Sequence, residues 1–274
     1  MANYTAADIK EIRESTGAGM LDVKKALDEA GGDKAKAVEL LRVKGLKGIA
    51  KREGRSASEG LIAVDVRDAE GGQTGTLVEL NSETDFVAKN SKFVALGDEA
   101  VAAAVESGAS EPADLEKTPF GEALTNAGAS MGEKILVRRI GRLSGEVVTE
   151  YMHRTNKDLP PQVGVLVATD KAGAEVAKDI AMHIAAFTPT YLSRDEVPAD
   201  VVENERRIAQ ETAVNEGKPE AALPKIVEGR LNGFYKENCL LDQAFAKDNK
   251  KSVGKVVEEA GGTVTGFIRF RVGN

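Results

Sequence analysis

Few side chains in this 274-residue chain have the type and spacing for bond chemistry. There are two histidines, His153 and His183, and one cysteine, Cys239. No His-x-x-x-His or paired-cysteine spacing offers a metal cage. No Gly-Lys-Ser or Gly-Lys-Thr is present, so a phosphate-cradling loop has no lysine. Gly17-Ala18-Gly19 begins like a dinucleotide fingerprint but lacks a third glycine and a preceding strand. The 44 acidic residues single out no acid–base pair. His183 shares a predicted helix face with Val176, Ile180 and Phe187 and reads as a core histidine. What remains is the chemistry of contact. The run Glu83-Thr84-Asp85-Phe86-Val87-Ala88-Lys89-Asn90 sets a carboxylate beside a large apolar ring, between a predicted strand and a predicted helix. Connections run over the surface. A ring there either folds back into its own core or fills a pocket on another molecule.

The elements that must position this run are legible from periodicity. Residues 1–55 predict a small helical module. Thr5 and Asp8 have capping-box spacing, Ile9 and Ile12 share a face, and Gly17-Ala18-Gly19 breaks the helix. Met20, Val23 and Leu27 follow at i, i+3, i+7, and Asp33 can cap a third helix with Ala37, Val38 and Leu41 inward. A β-β-α-(insert)-β order then occurs twice. Strands are expected at 61–67, 74–80 and 135–143 with helices at 91–105 and 121–132. The second copy has strands at 146–153, 163–168 and 263–272 with a helix at 174–187. The fold class is therefore α+β: a three-helix module, then two related subdomains (56–144 and 145–274) with small, mostly antiparallel sheets covered by helices. The second carries a helical hairpin at about 195–238, with a thin stripe of Val201, Ile208 and Thr212 facing Ile226, Val227, Leu231 and Phe234. In the last strand Val264, Ile268, Phe270 and Val272 are expected on one side, Arg269 and Arg271 on the other.

Composition bounds the function. Apolar residues make up 42% and charged residues 30%, an ordinary balance for a soluble protein. A single cysteine allows no internal disulfide, which suits a reducing compartment. Without a signal peptide or an apolar run of about 18 residues, the expectation is a cytoplasmic protein with no membrane partner. The net charge of −7, the absence of tryptophan and 4% aromatics argue against a general nucleic-acid binder. One basic stretch, Arg42, Lys44, Lys47, Lys51, Arg52 and Arg55, reads as a solvated linker because it holds three glycines and no aromatic. The alternative is a ribosome- or RNA-binding module built on that stretch, with salt-dependent affinity. An enzyme reading comes third, since it would need a cleft with perturbed titratable groups.

The chain resembles the translation elongation factor Ts family over nearly its whole length. The resemblance lies in residues 9–22 (IKEIRESTGAGMLD), 37–45 (AVELLRVKG), 50–60 (AKREGRSASEG) and above all 79–90 (ELNSETDFVAKN). Met131-Gly132-Glu133 with Arg138-Arg139, Tyr151-Met152-His153, the run 179–186 (DIAMHIAA), 225–230 (KIVEGR) and 266–270 (GFIRF) continue it in the family's order. The resemblance implies a ubiquitin-associated-like first module, a two-subdomain core and a hairpin arm. It implies guanine-nucleotide exchange on the GTPase elongation factor Tu, with Mg²⁺ dislodged and GDP released, by a protein that is not an enzyme, binds no nucleotide itself and needs no cofactor. Thr84, Asp85, Phe86 and Val87 match the intruding motif, and Met131-Gly132 the loop beside it. Lys10, Arg13, Met20 and Leu21 match contacts to the partner's GTPase domain, and His153 a contact away from its nucleotide site. The chain stops at Asn274, without the C-terminal helical extension of longer forms, and has Ser82 where many members have cysteine. The hairpin's role varies in the family, which leaves homodimerisation through it open.

Overall fold

Strands apolar on both faces need cover on both faces. The computed structural model of the chain, which describes residues 3–16, 18–50 and 52–273 (side chains of 46–50 excepted), meets that demand by stacking two sheets between helices. Three helices come first: α1 (Ala6–Thr16), α2 (Met20–Glu29) and α3 (Lys34–Ala50). Thr5 and Asp8 cap α1 reciprocally. The Asp8 carboxylate accepts from the Thr5 N–H and hydroxyl at 2.7 Å each, and the Asp8 N–H donates to the Thr5 hydroxyl at 3.2 Å. Those bonds, helped by the Lys34 ammonium, hold the Asp8 carboxyl at a pKa of about 2. Ile12, Val23, Ala26, Leu27 and Ala37 close a small core. The expected break at Gly17 lies outside the described residues.

The basic run is not a solvated linker from residue 42 onward, because α3 continues through it to Ala50. Packing explains the difference. A Cβ at Gly45 would meet the Ala129 Cβ at 2.7 Å, so the bare glycine lets α3 lie against a later helix, α7 (Pro119–Met131). That contact outweighs a helical-glycine penalty of about 1 kcal/mol.

The core continues as β1 (Glu59–Ala69), β2 (Gly72–Ser82), α4 (Asp85–Ala88), α5 (Ser91–Ser107), α6 (Pro112–Glu116), α7 and β3 (Leu136–Gly145). Next come β4 (Val147–His153), β5 (Val163–Thr169), α8 (Ala174–Phe187), α9 (Ala199–Asn215) and α10 (Leu223–Asn238). A short hairpin, β6 (Ala244–Phe245) and β7 (Asp248–Ser252), leads to α11 (Val253–Glu259) and β8 (Val264–Arg271). Sheets β1-β2-β3 and β4-β5-β8 are antiparallel throughout. Leu61, Ala63, Val78 and Leu80 pack with Phe93 and Leu96 of α5 and Leu124 of α7. Ile62 and Leu77, one residue out of step, meet Val148, Leu166 and Phe270 of the second sheet. Val163, Val165 and Val167 pack onto Ile180 and Ile184 of α8. The layers run helix, sheet, sheet, helix. At Gly164 a Cβ would meet Ile62 Cγ2 at 2.6 Å, so the sheets touch there because a side chain is missing.

Three apolar stripes depart from expectation. In α3, Ala37 and Leu41 pack inward but Val38 is exposed. In the hairpin, α9 packs Ala209, with Val202 beside it, against Val227 and Leu231 of α10 and also buries Ala213, while Ile208 faces solvent. The seam is built on small residues one position out of phase with the expected stripe. In β8, Val264 does not share a side with Ile268 and Phe270. An irregular register opposite Ala168 and Thr169 turns it toward α8, whereas Ile268, Phe270 and Val272 lie between the sheets.

Candidate functional site

The stretch after β2 is not an open loop. Thr84 keeps an extended backbone (φ −127°, ψ 155°) and its hydroxyl accepts from the Val87 N–H at 3.4 Å, so it caps the one-turn helix α4. Ala88 is fully buried and Val87 packs on the core between the first sheet and its helices. With those two side chains turned inward, Phe86 points out and is 74% exposed. The ring does not fold back into its own core. The Lys89 ammonium stands 4.3 Å from the ring centroid and 3.5 Å from the Asp85 carboxylate, so the acid and the ring share one cation.

A second segment braces this turn. Helix α7 ends at Met131, half-buried against the same core, and Gly132 caps it at φ 75°, where glycine carries no Cβ penalty. The next residue, Glu133, accepts the Thr84 hydroxyl at 2.5 Å and the Glu83 and Thr84 N–H groups at 3.0 Å each. In return the Glu83 carboxylate accepts the Lys134 N–H at 2.6 Å and the Arg55 guanidinium at 3.2 Å. The Lys134 ammonium reaches the carbonyls of Glu53 at 2.5 Å and Arg55 at 3.2 Å. Glu83 and Glu133 both stand inside motifs quoted above, yet nothing local marks them as each other's counterparts.

The helical module meets the same end of α7. The Ser130 hydroxyl donates to the Thr16 carbonyl, and the Lys92 ammonium to the Glu14 carbonyl at 2.7 Å. The C-terminal end of α1 therefore lies beside Met131, across a groove lined by Ala18, Leu41, Leu96 and Met131. Met20 and Leu21 open α2 and are 58% and 74% exposed. Lys10 and Arg13 are exposed on α1, with Lys10 3.7 Å from Glu14. His153 stands on the second sheet, exposed at the end of β4, where its Nδ1 lies 3.1 Å from the Tyr151 hydroxyl. Among the described residues no hydrogen bond joins it to the α4 cluster.

The basic stretch is largely engaged within the chain. Arg42 pairs with Glu122 and Lys44 with Asp22 at 2.5 Å each, Arg52 donates to the Gly128 carbonyl at 3.2 Å, and Arg55 holds Glu83. Lys51 and the side chain of Lys47 lie outside the described residues. These four contacts tie the module and its connection together or to the first sheet's layer.

Groups with reactive potential are spoken for. His183 is fully buried, with Nε2 2.8 Å from Gln243 Oε1 and Nδ1 accepting the Ala246 N–H at 3.2 Å. A backbone N–H can only donate, so the ring is neutral with its proton on Nε2. Burial pushes its pKa down. The Cys239 thiol is buried and pushed up to about 11, chiefly by desolvation, which keeps it unreactive. A Gly-x-Ser-x-Gly spacing at Gly128-Ala129-Ser130-Met131-Gly132 escapes the sequence reading. It lies at the end of α7 rather than on a strand-to-helix turn, and Ser130 is bonded to Thr16, so it is no nucleophile elbow. Among the described residues no three acids, histidines or cysteines could hold a metal ion, and no helix is long and apolar enough to cross a membrane.

These features define a class: an α+β protein with a helical N-terminal module that presents apolar side chains on short, braced turns. Comparison with known proteins narrows the class. A family model described as Elongation factor TS matches residues 83–274. The elongation factor Ts of Beutenbergia cavernae is 64% identical over 280 residues, covering the whole of both chains. Those of Micrococcus luteus and an Arthrobacter species are 61% and 59% identical over 282 residues, again with complete coverage of both. The chain belongs to the elongation factor Ts family, and its role is in translation elongation.

Proposed function

We propose that the chain is a guanine-nucleotide exchange factor that binds elongation factor Tu in its GDP form and speeds GDP release without bond chemistry of its own. A GTPase holds GDP partly through Mg²⁺ bridging phosphate and protein oxygens. Phe86 enters a pocket between helices of the partner and displaces the structure that supports the metal. Asp85 helps hold the shifted arrangement, and GDP leaves once its phosphates lose their counter-charge. Burying one phenylalanine contributes roughly 2–3 kcal/mol, enough to shift a bistable loop about a hundredfold. The rest comes from a wide interface. Residues 1–55 contribute Lys10, Arg13, Met20 and Leu21, residues 56–144 add Met131 and Gly132 beside the wedge, and residues 145–274 add His153. Coupling is reciprocal, so nucleotide in turn expels the factor.

The observation that carries this reading is the 74% exposure of Phe86 on a turn whose next two side chains, Val87 and Ala88, pack into the core. The test is release of fluorescent GDP from elongation factor Tu. Phe86→Ala should slow it while leaving complex formation largely intact, and equal rates would remove Phe86 from the mechanism.

A further inference from the structure

We propose that Glu133 and Glu83 are positioning residues for Phe86, a pair of carboxylates that set the angle of the α4 turn and tie it to the connection from the helical module. The inference rests on reading Phe86 as the wedge. Helix α4 has four residues, too few to hold a helical turn by its own hydrogen bonds. Val87 and Ala88 fix which face of the turn points inward, and what holds its base sets how far the turn can tilt. That base has N–H groups at Glu83 and Thr84 and a hydroxyl at Thr84, and one carboxylate, Glu133, takes all three. Glu83 closes the loop by taking the Lys134 N–H. Each of two adjoining turns thus supplies the other's anion. Hydrogen bonds to an ionised group are the short, strong kind, and here they sit where a reaction force on the ring would be transmitted.

A wedge displaces something only if its base does not yield. With the clamp gone, Phe86 would still find its pocket but would move with the partner, retaining affinity and losing displacement. The Arg55–Glu83 pair and the Lys134 bonds to the Glu53 and Arg55 carbonyls extend the clamp to the chain leading out of the helical module. Docking of the module and the angle of the wedge then share one network.

The test compares wild type, Phe86→Ala, Glu133→Ala and the double variant in GDP release from the partner at increasing factor concentration. Glu133→Ala should lower the maximal rate about tenfold and change the half-saturating concentration less than about threefold. The double variant should be no slower than Phe86→Ala alone, because Glu133 acts through Phe86. A wild-type rate for Glu133→Ala, or a double variant slower by the full Glu133→Ala factor, would overturn the inference. If Glu133→Ala fails to fold by circular dichroism, Thr84→Val, which removes the hydroxyl's clamp bond together with the α4 cap, is held to the same outcomes. Phe86→Ala at the wild-type rate sinks the wedge reading and the clamp with it. Phe86→Ala slow beside an unaffected Glu133→Ala sinks the clamp alone.

Discussion

The Thr84 hydroxyl lies 2.5 Å from a carboxylate oxygen of Glu133, forty-nine residues further along the chain. The same hydroxyl oxygen accepts the Val87 N–H, so one atom both caps α4 and fastens it to the end of α7. Thr84→Val removes both bonds while keeping the side chain's shape. Loss of a cap costs about 1 kcal/mol, and loss of a hydrogen bond to a charged group about 1.5–3 kcal/mol when buried. Thr84 is only half-buried, so the lower end applies. The expected outcome is a fall of about 2–2.5 kcal/mol in urea unfolding.

Phe86→Ala should behave in the opposite way, with stability unchanged to within about 0.5 kcal/mol. The ring is 74% exposed and gives up little beyond its contact with Lys89. Chemical unfolding of the free protein is the check. A loss above about 1 kcal/mol would mean that the ring supports its own core.

How much of this was legible follows from where each signal lies. Both ends of α8 are legible in the sequence because Val176, Ile180, His183 and Phe187 recur at helical spacing. The expected strands of both sheets end within two residues of the observed ones because apolar side chains run through them. The stacking of the sheets leaves no local signal. It depends on Ile62 and Leu77 meeting Leu166 and Phe270, residues whose apolar character is plain but whose partners are distant in sequence. The α9 seam is obscured in the sequence because Ala209 and Ala213 signal weakly beside Ile208, which is larger and points outward. Asp85 and Phe86 stood out by type, whereas Glu133 became visible only once α7 had brought it to Thr84.

Glu79 opens the same motif but does structural work. It is fully buried on β2. One carboxylate oxygen takes Arg139 Nε at 2.6 Å and the other takes the Gly273 N–H at 3.2 Å. Arg139 also donates to the Arg271 carbonyl at 2.9 Å and lies 4.3 Å over the Phe270 ring. The pair therefore joins β2, β3 and the end of β8. Breaking a buried pair costs about 3–5 kcal/mol, and partial solvent access at Arg139 lowers that to about 2–3 kcal/mol. Glu79→Ala should lose that much in urea unfolding. Removing Arg139 as well should cost less than the two single losses added together, and strict additivity in the cycle would show that the two side chains act separately.

His183 makes stability depend on pH. Both ring nitrogens are committed to a neutral ring, since protonation would turn an N–H at Nδ1 against the Ala246 N–H. Phe187 stacks at 4.7 Å and Phe245 at 6.1 Å, and Gln243 holds Nε2, so no nearby carboxylate bonds the ring to favour a cation. Burial lowers the folded pKa below its ordinary value of 6.5. Between that folded value and about 6.5 the unfolded chain binds more protons, so stability rises with pH in this window. The contribution is complete above about pH 6.5 and is lost as pH falls below it. His183→Gln abolishes the titration. The stability difference between wild type and His183→Gln should therefore shrink as the pH is lowered from about 7 to about 5, measured by urea unfolding at each pH. A difference that stays constant across that range would mean that the imidazole titrates alike in the folded and unfolded chains, and that its burial carries no electrostatic consequence.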